Sequence, residues 1–256
     1  MNPIQFISLV DIKARMGLKS EASKLYLSYL WWVLEPMLWA LAFFFVFEIL
    51  LEFGRDLFFI MCGKVPFLWF SKSVTNGSNS IVSGKSLINQ TNIPKQFFPY
   101  ETIQGILYKQ WLVFLVLFGL AIAFGHMPTW YWLLVFPLIV VQYLLIVAVT
   151  LIGALLVSYV RDVRLLINMS MLFLMFTSGV FWDLSRISDP IKREMVFTWN
   201  PLAYLLDAYR RIIMHNTMYD MVHLLILAGV FLAVIALMHV IYGVKSQAIA
   251  SRVINS

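Results

Sequence analysis

The stretch LLVFPLIVVQYLLIVAVTLIGALLVSYV, from Leu133 to Val160, contains no charged residue. A helix of roughly 28 residues is about 40 Å long, whereas the hydrocarbon core of a bilayer is about 30 Å thick. The composition of the whole chain agrees, because 61% of its residues are hydrophobic. Charged residues make up 12% of the chain, compared with about 25% in soluble domains. The sequence therefore predicts a membrane protein that crosses the bilayer as helices.

Five other apolar stretches accompany this one, and short polar joins separate them. We predict an all-α fold with six transmembrane helices, because a helix needs about 20 apolar residues to cross a bilayer. The predicted spans are 26–51, 57–82, 103–124, 130–160, 165–182 and 221–244. Six spans leave no room for a soluble domain in a chain of 256 residues, so we predict a single transmembrane domain over 1–256.

The lysine and arginine residues predict the orientation of these spans. With both termini on the cytoplasmic side, the inner segments carry most of the basic residues, and most of the outer ones lie in the join between spans five and six. Cytoplasmic loops carry such an excess in membrane proteins. We therefore predict a multi-pass protein of the bacterial inner membrane with both termini cytoplasmic. The same bias accounts for the net charge of +6, so nucleic acid is not a predicted partner.

The N-terminal segment 4–25 is amphipathic and too polar to span. Val10 and Ala14 fall on its apolar helical face, whereas Arg15 and Lys19 fall on the opposite face. A basic helix of this kind is expected to lie in the headgroup region of a membrane. We predict an interface helix here, and a frayed cytoplasmic tail is the alternative.

The outer join 183–216 contains two strong signals for the start of a helix. Asp189-Pro190 and Asn200-Pro201 each place a capping residue before a proline at the first helical position. Two short helices, about 190–198 and 201–215, would form a re-entrant or interfacial hairpin between spans five and six. A simple surface loop is the alternative. If the helices enclose a pore, this hairpin would close its outer mouth, with the gate residues Trp182, Trp199, Asn200, Pro201, Tyr204 and Tyr209.

Motifs that would indicate catalysis or the binding of a nucleotide or metal are weak in this chain. Gly84-Lys85-Ser86 resembles the end of a nucleotide-binding P-loop, but that motif needs a glycine where this chain has Asn79. Cys62 is the only cysteine, and the four histidines are scattered. We predict that the chain is not an enzyme and has no catalytic, cofactor or metal site. A membrane-embedded enzyme with its residues spread over several spans remains an alternative.

Several short motifs, taken in order, resemble the ABC-2 type exporter permeases, and in particular the branch that exports O-antigen and capsular polysaccharides. The motifs are Tyr29–Pro36 (YLWWVLEP), Ser78–Ile81 (SNSI), Leu87-Ile88, Ile93–Lys95 (IPK), Arg161–Val163 (RDV), Trp199–Leu202 (WNPL) and Tyr209-Arg210. The resemblance extends over nearly the whole chain. Lys64 and Lys72 depart from it, because charges are unusual in an apolar span.

The resemblance implies that the chain is half of a transporter. Two copies would form a pore for a lipid-linked polysaccharide, and two copies of a separate ATPase subunit, which would hold ATP and Mg²⁺, would drive export. Permeases with the same architecture for a small hydrophobic drug or for teichoic acid are the alternatives.

The predicted inner join 83–94 is the best candidate for the helix that couples the permease to that ATPase. It is polar and lies between a glycine and a proline, and its apolar members would enter a groove on the partner. Its predicted contact residues are Gly84, Lys85, Leu87, Ile88 and Asn89, with Arg15 and Lys19 of the interface helix beside them.

The pore wall is predicted on spans one and five. Trp32, Glu35 and Trp39 share one helical face of span one, and Phe173 and Thr177 belong to span five. Aromatic planes and hydroxyl groups together would let a sugar chain slide while binding each unit weakly. Packing between helices is the alternative role of these residues.

Overall fold

The computed structural model is helical, and no strand occurs among the residues that it describes. It describes residues 2–23, 30–31, 34, 37–38, 41–42, 45–50, 57–184 and 187–255. The prediction of an all-α fold is confirmed. Trp32, Glu35 and Trp39, which were predicted to line a pore, lie outside the described residues, as does half of the predicted first span. Phe45–Leu50 of that span forms a short π-helical segment.

Nine α-helices follow one another in the described part of the chain. They are α1 (Pro3–Ala22), α2 (Leu57–Ser83), α3 (Lys85–Gln90), α4 (Phe97–Ala123), α5 (Val135–Tyr159), α6 (Val163–Thr177), α7 (Pro190–Trp199), α8 (Pro201–Ile213) and α9 (Met221–Asn255). A 3₁₀ turn, Trp130–Leu134, leads directly into α5.

Three helices in the described ranges are long and apolar enough to cross a membrane. They are Phe97–Ala123, Trp130–Tyr159 and Met221–Ile254, which correspond to the predicted spans three, four and six. The apolar helix α6 has 15 residues. It ends at Thr177, before the predicted end of span five at Trp182, because Gly179 takes a φ of +74°, in the left-handed region that ends helices. The count of six spans therefore remains a prediction.

Helices α2 and α5 form the centre of the bundle and approach each other closely. Gly77 of α2 packs against the side chain of Thr150, and Gly153 of α5 packs against that of Ser78. A Cβ atom at either glycine would collide with the facing side chain. Small residues at such contacts are what allows membrane helices to approach. Helices α4 and α9 pack against this central pair.

The bundle has two distinct ends. At one, which we name the α1 end, α1 packs on the first turns of α4, and α3 packs beside α9. The ring of Tyr159, at the end of α5, lies there 4.8 Å from the guanidinium of Arg252. At the other, the hairpin end, α8 packs on α2 and α5, and the Tyr219 hydroxyl donates to the Leu134 carbonyl over 3.1 Å.

Candidate functional site

A short helix at the α1 end occupies the join that was predicted to contact an ATPase. A one-residue turn at Gly84 connects it to α2, and the Gly84 carbonyl accepts from the backbone N–H groups of Leu87 and Ile88, each over 3.0 Å. A side chain at Gly84 would collide with the ring of Phe98. Helix α3 covers less than the predicted 83–94, because the backbone is extended from Thr91 towards Pro94, and a residue before proline disfavours helix.

The predicted contact residues of this helix point in different directions. Ile88 is buried and packs inside the chain, so it anchors α3 to the bundle rather than facing outward. Leu87 and Lys85 are half-buried, and Asn89 is exposed. Leu87 and Asn89 thus remain accessible for contact with another protein.

Helix α1 is fixed to α4 by polar contacts. The Tyr108 hydroxyl donates to the Asp11 carboxylate, and Lys109 pairs with Glu21 over 2.5 Å. The hydrogen bond from Tyr108 lowers the pKa of Asp11 below its ordinary value, so this carboxylate is ionised at neutral pH. Arg15 pairs with Asp11 over 3.0 Å, and the side chains of Arg15 and Lys19 are exposed. These two cations are therefore available at the surface of the α1 end.

A polar cleft of about 780 Å³ opens at the α1 end between α1, α2, α3, α4 and α6. Lys13 and Arg164 contribute positive charges to it, and Glu101 contributes a carboxyl group. Hydroxyl and amide groups line much of the remainder, namely those of Thr75, Asn76, Asn79, Ser80, Ser83 and Asn168. Such groups can hydrogen-bond to a hydroxylated ligand. Sequence reasoning missed this cleft, although the polar run in the second half of α2 was its signal.

An apolar groove of about 710 Å³ lies between α2, α5, α6 and the hairpin. It brings together two predicted pore residues, Phe173 and Thr177, and three predicted gate residues, Trp199, Asn200 and Pro201. Phe173 is 68% exposed and Trp199 is 83% exposed. The two sets of residues, which are separate in sequence, therefore share one surface.

The hairpin helices begin where the capping pattern predicts. The Asp189 carboxylate accepts from the backbone N–H of Ile191 over 3.0 Å, and the Asn200 side-chain oxygen accepts from that of Ala203 over 3.1 Å. The Asn200 amide also donates to the Ser178 hydroxyl over 3.0 Å, which ties the hairpin to the end of α6. Asn200 is therefore both a helix cap and a link between helices.

The other predicted gate residues do not gather at one place. The Trp182 indole donates to the Phe176 carbonyl over 2.6 Å, and the Tyr204 hydroxyl donates to the Asp220 carbonyl. Tyr209 is fully buried, with its ring centroid 6.0 Å from that of Phe114, because it lies on the apolar face with which α8 packs on the bundle. Tyr209 thus packs inside the bundle.

The sequence analysis used Arg210 only as part of the Tyr209-Arg210 motif and did not predict its burial, whereas Arg210 is 4% exposed in the structure. Its guanidinium donates to the carbonyls of Gly179 and Val180 over 2.6 and 2.8 Å and lies 3.7 Å from the ring centroid of Phe59. Arginine in a polar join is ordinarily exposed, so the local pattern gave no signal for this burial. Among the described residues, no group of three or more His, Cys, Asp or Glu side chains could hold a metal ion.

Comparison with known proteins supplies relatives along most of the chain, although no family profile matches it. An O-antigen export system permease protein, RfbA of Myxococcus xanthus, is 27% identical over 229 residues, which is 88% of each chain. Two proteins of the same name from Klebsiella pneumoniae are 25% and 24% identical, each over 90% of this chain and 89% of the relative. The resemblance to O-antigen export permeases that the motifs indicate is confirmed.

Proposed function

We propose that this chain is the permease subunit of an ABC transporter that exports a lipid-linked polysaccharide, of O-antigen or capsule type, across the bacterial inner membrane. The observation that carries the proposal is similarity to O-antigen export permeases over about nine-tenths of the chain. Two copies of the chain form the pore. A separate ATPase subunit, also in two copies, binds ATP and Mg²⁺ and supplies the energy.

In this proposal the α1 end faces the cytoplasm and the hairpin end faces outward. Basic residues at the α1 end support that orientation, namely Lys13, Arg15, Lys19, Arg161, Arg164, Lys245 and Arg252. Positive charge of this kind stays on the cytoplasmic side of membrane proteins. Both termini are then cytoplasmic, and α1 lies in the headgroup region of the inner leaflet.

The short helix α3 is the docking element for the ATPase. Gly84 joins it to α2 without a flexible linker, and Ile88 anchors it in the core, so a force on α3 reaches the bundle directly. Leu87 and Asn89 contact the partner, and the exposed cations Arg15 and Lys19 lie at the same end.

The polysaccharide enters at the polar cleft and leaves beside the hairpin. The hydroxyl and amide groups of the cleft match the hydrogen-bonding edges of sugars. Phe173, Thr177 and Trp199 then offer an apolar surface with one hydroxyl, on which sugar faces slide without tight binding. The hairpin, with the exposed Trp199, closes the outer mouth at rest.

Copurification from the native membrane tests the proposed division of labour. An ATPase subunit should copurify with the tagged chain in equal amount. The purified complex should hydrolyse ATP, whereas the chain alone should not. Isolation of a stable chain that hydrolyses ATP alone, or that has no ATPase partner, would contradict the proposal.

The apolar groove supports a second candidate substrate, a small hydrophobic compound. Its lining of aliphatic and aromatic side chains would also accept a small hydrophobic drug. A drug permease would change the sensitivity of the cell to such compounds and would leave the surface polysaccharide unaltered, which separates the two functions.

A further inference from the structure

Among the residues that the structure describes, the hydrogen bonds of Arg210 connect three separate parts of the chain. Arg210 itself belongs to α8, and its Nη atoms donate to the carbonyls of Gly179 and Val180, in the turn after α6. Its Nε atom donates to the Phe59 carbonyl, in the first turn of α2, over 3.4 Å. The five donors of a guanidinium form a fixed planar fork, which no other side chain reproduces.

Two glycines lie beside the guanidinium, and a larger residue at either position would disturb its contacts. A Cβ atom at Gly63 of α2 would collide with the guanidinium of Arg210. Gly179 has a φ of +74°, which glycine adopts without strain, and it precedes the second accepting carbonyl. We name Arg210, Phe59, Gly63, Gly179 and Val180 the Arg210 cluster.

The helix that carries one side of this cluster also carries the docking element. Helix α2 runs without interruption from Leu57 to Ser83, and only Gly84 separates it from α3. A helix of this length is about 40 Å long. The Arg210 cluster therefore lies at one end of α2, and the proposed ATPase contact lies at the other.

Pro66 lies in α2, one turn from Gly63. A proline removes one backbone hydrogen bond and is a common cause of helix bending. The backbone beside it is supported from neighbouring helices, since Gln142 donates to the Pro66 carbonyl over 2.8 Å and Gln110 donates to the Val65 carbonyl over 3.5 Å. A bend of α2 at Pro66 would thus lie next to the Arg210 cluster, and the carbonyls of Val65 and Pro66 are held there by side chains of neighbouring helices.

We propose that Arg210 is a positioning residue that makes the hairpin follow the movement of α2. A displacement of α3 by the ATPase tilts α2, and the Arg210 cluster carries that tilt to α8 and to the turn after α6. The gate then opens in step with ATP binding. This inference depends on the proposed function, because it needs the ATPase to act on α3.

Arg210→Gln and Gly63→Ala test the cluster from its two sides. The first removes the guanidinium fork, and the second keeps the arginine but displaces it. Arg211→Gln is the matched control, since Arg211 is exposed and pairs with Asp207 of its own helix over 2.6 Å. Each variant is purified with its ATPase, and glycan export, ATP hydrolysis and movement of the hairpin are measured.

Movement of the hairpin is followed with a spin label at Ile191→Cys, in a background that carries Cys62→Ser. Ile191 of α7 is exposed and lies outside the groove, and one label on each of the two copies gives a distance across the pore mouth. In the otherwise unaltered complex this distance should change when ATP binds. In Arg210→Gln and Gly63→Ala the change should disappear, and glycan exported per ATP hydrolysed should fall about tenfold while hydrolysis continues. Arg211→Gln should behave like the unaltered complex.

Three outcomes would overturn the role of Arg210. One is full export and full hairpin movement in Arg210→Gln or in Gly63→Ala. Another is a labelled complex, otherwise unaltered, that exports glycan without any ATP-dependent change at Ile191. The third is failure of both variants to accumulate in the membrane, which would assign the cluster to folding alone. An unaltered chain that neither exports glycan nor binds an ATPase would instead overturn the proposed function.

Discussion

At the scale of single residues, glycine positions set how closely the central helices approach. Gly153 packs on Ser78 and Gly77 packs on Thr150, so each helix contributes one glycine and one hydroxyl side chain to the contact. The interior of a helix bundle is packed as densely as an organic crystal. An added methyl group at either position must therefore push the two helices apart.

Gly153→Ala should destabilise the bundle by about 1–3 kcal/mol, the usual cost of overpacking a core. Gly119→Ala is the matched control, because a Cβ atom at Gly119 of α4 meets nothing within 4 Å. A denaturant titration in detergent solution measures the free energy of unfolding of both variants. Equal stability of the two would contradict the close contact between α2 and α5.

At the scale of elements, local signals predicted the starts of the two hairpin helices, whereas α4 begins at Phe97 and not at the predicted residue 103, and the end of α6 was not predicted. The starts of α7 and α8 follow from Asp189-Pro190 and Asn200-Pro201, since a cap and a proline act within a few residues. The end of α6 depends on the left-handed backbone of Gly179, and glycine also occurs inside helices, so the sequence did not distinguish the two roles.

The element scale also shows why part of the candidate site escaped sequence reasoning. Burial of Arg210 depends on carbonyls that lie 30 to 151 residues away in the chain. The polar cleft depends on five helices that meet at one end. The polar run in α2 marks one wall of the cleft, but local spacing does not show which other helices complete it, and it does not show the burial of Arg210.

Leu87→Glu should weaken binding of the ATPase and reduce glycan export. A glutamate at an interface centre places an unpaired charge there, which costs several kcal/mol, so ATPase binding should weaken by more than about tenfold. The protein should still reach the membrane, because Leu87 is only half-buried in the chain. Copurified ATPase and exported glycan are measured together.

The control for this variant is Ile191→Glu, an equivalent change at an exposed site in α7. It should leave ATPase binding intact. Normal export by Leu87→Glu would show that α3 does not dock on the partner.

At the scale of the whole molecule, the exposed face of α6 is the candidate pore wall. We expect cysteines at Phe173 and Thr177, in a background with Cys62→Ser, to react with a water-soluble thiol reagent during transport. The reactive species is the thiolate, which forms in water and not in lipid. Reaction should slow when a glycan is trapped in the pore, because the chain covers both positions.

A cysteine at Phe136 is the control, since Phe136 is exposed on α5 and lies outside the groove. It should not react, because it faces lipid in the proposed assembly. If the cysteines at Phe173, Thr177 and Phe136 were all equally unreactive towards the reagent, Phe173 and Thr177 would lie in lipid or between helices.

The central claim is that the chain exports a polysaccharide, and surface display of that polysaccharide is its most direct test. A strain that lacks the chain should lose the glycan from its surface and accumulate lipid-linked glycan on the cytoplasmic side of the inner membrane. The unaltered chain, supplied in trans, should restore display. An unchanged surface glycan in the deletion strain, with no lipid-linked glycan accumulated, would contradict the claim.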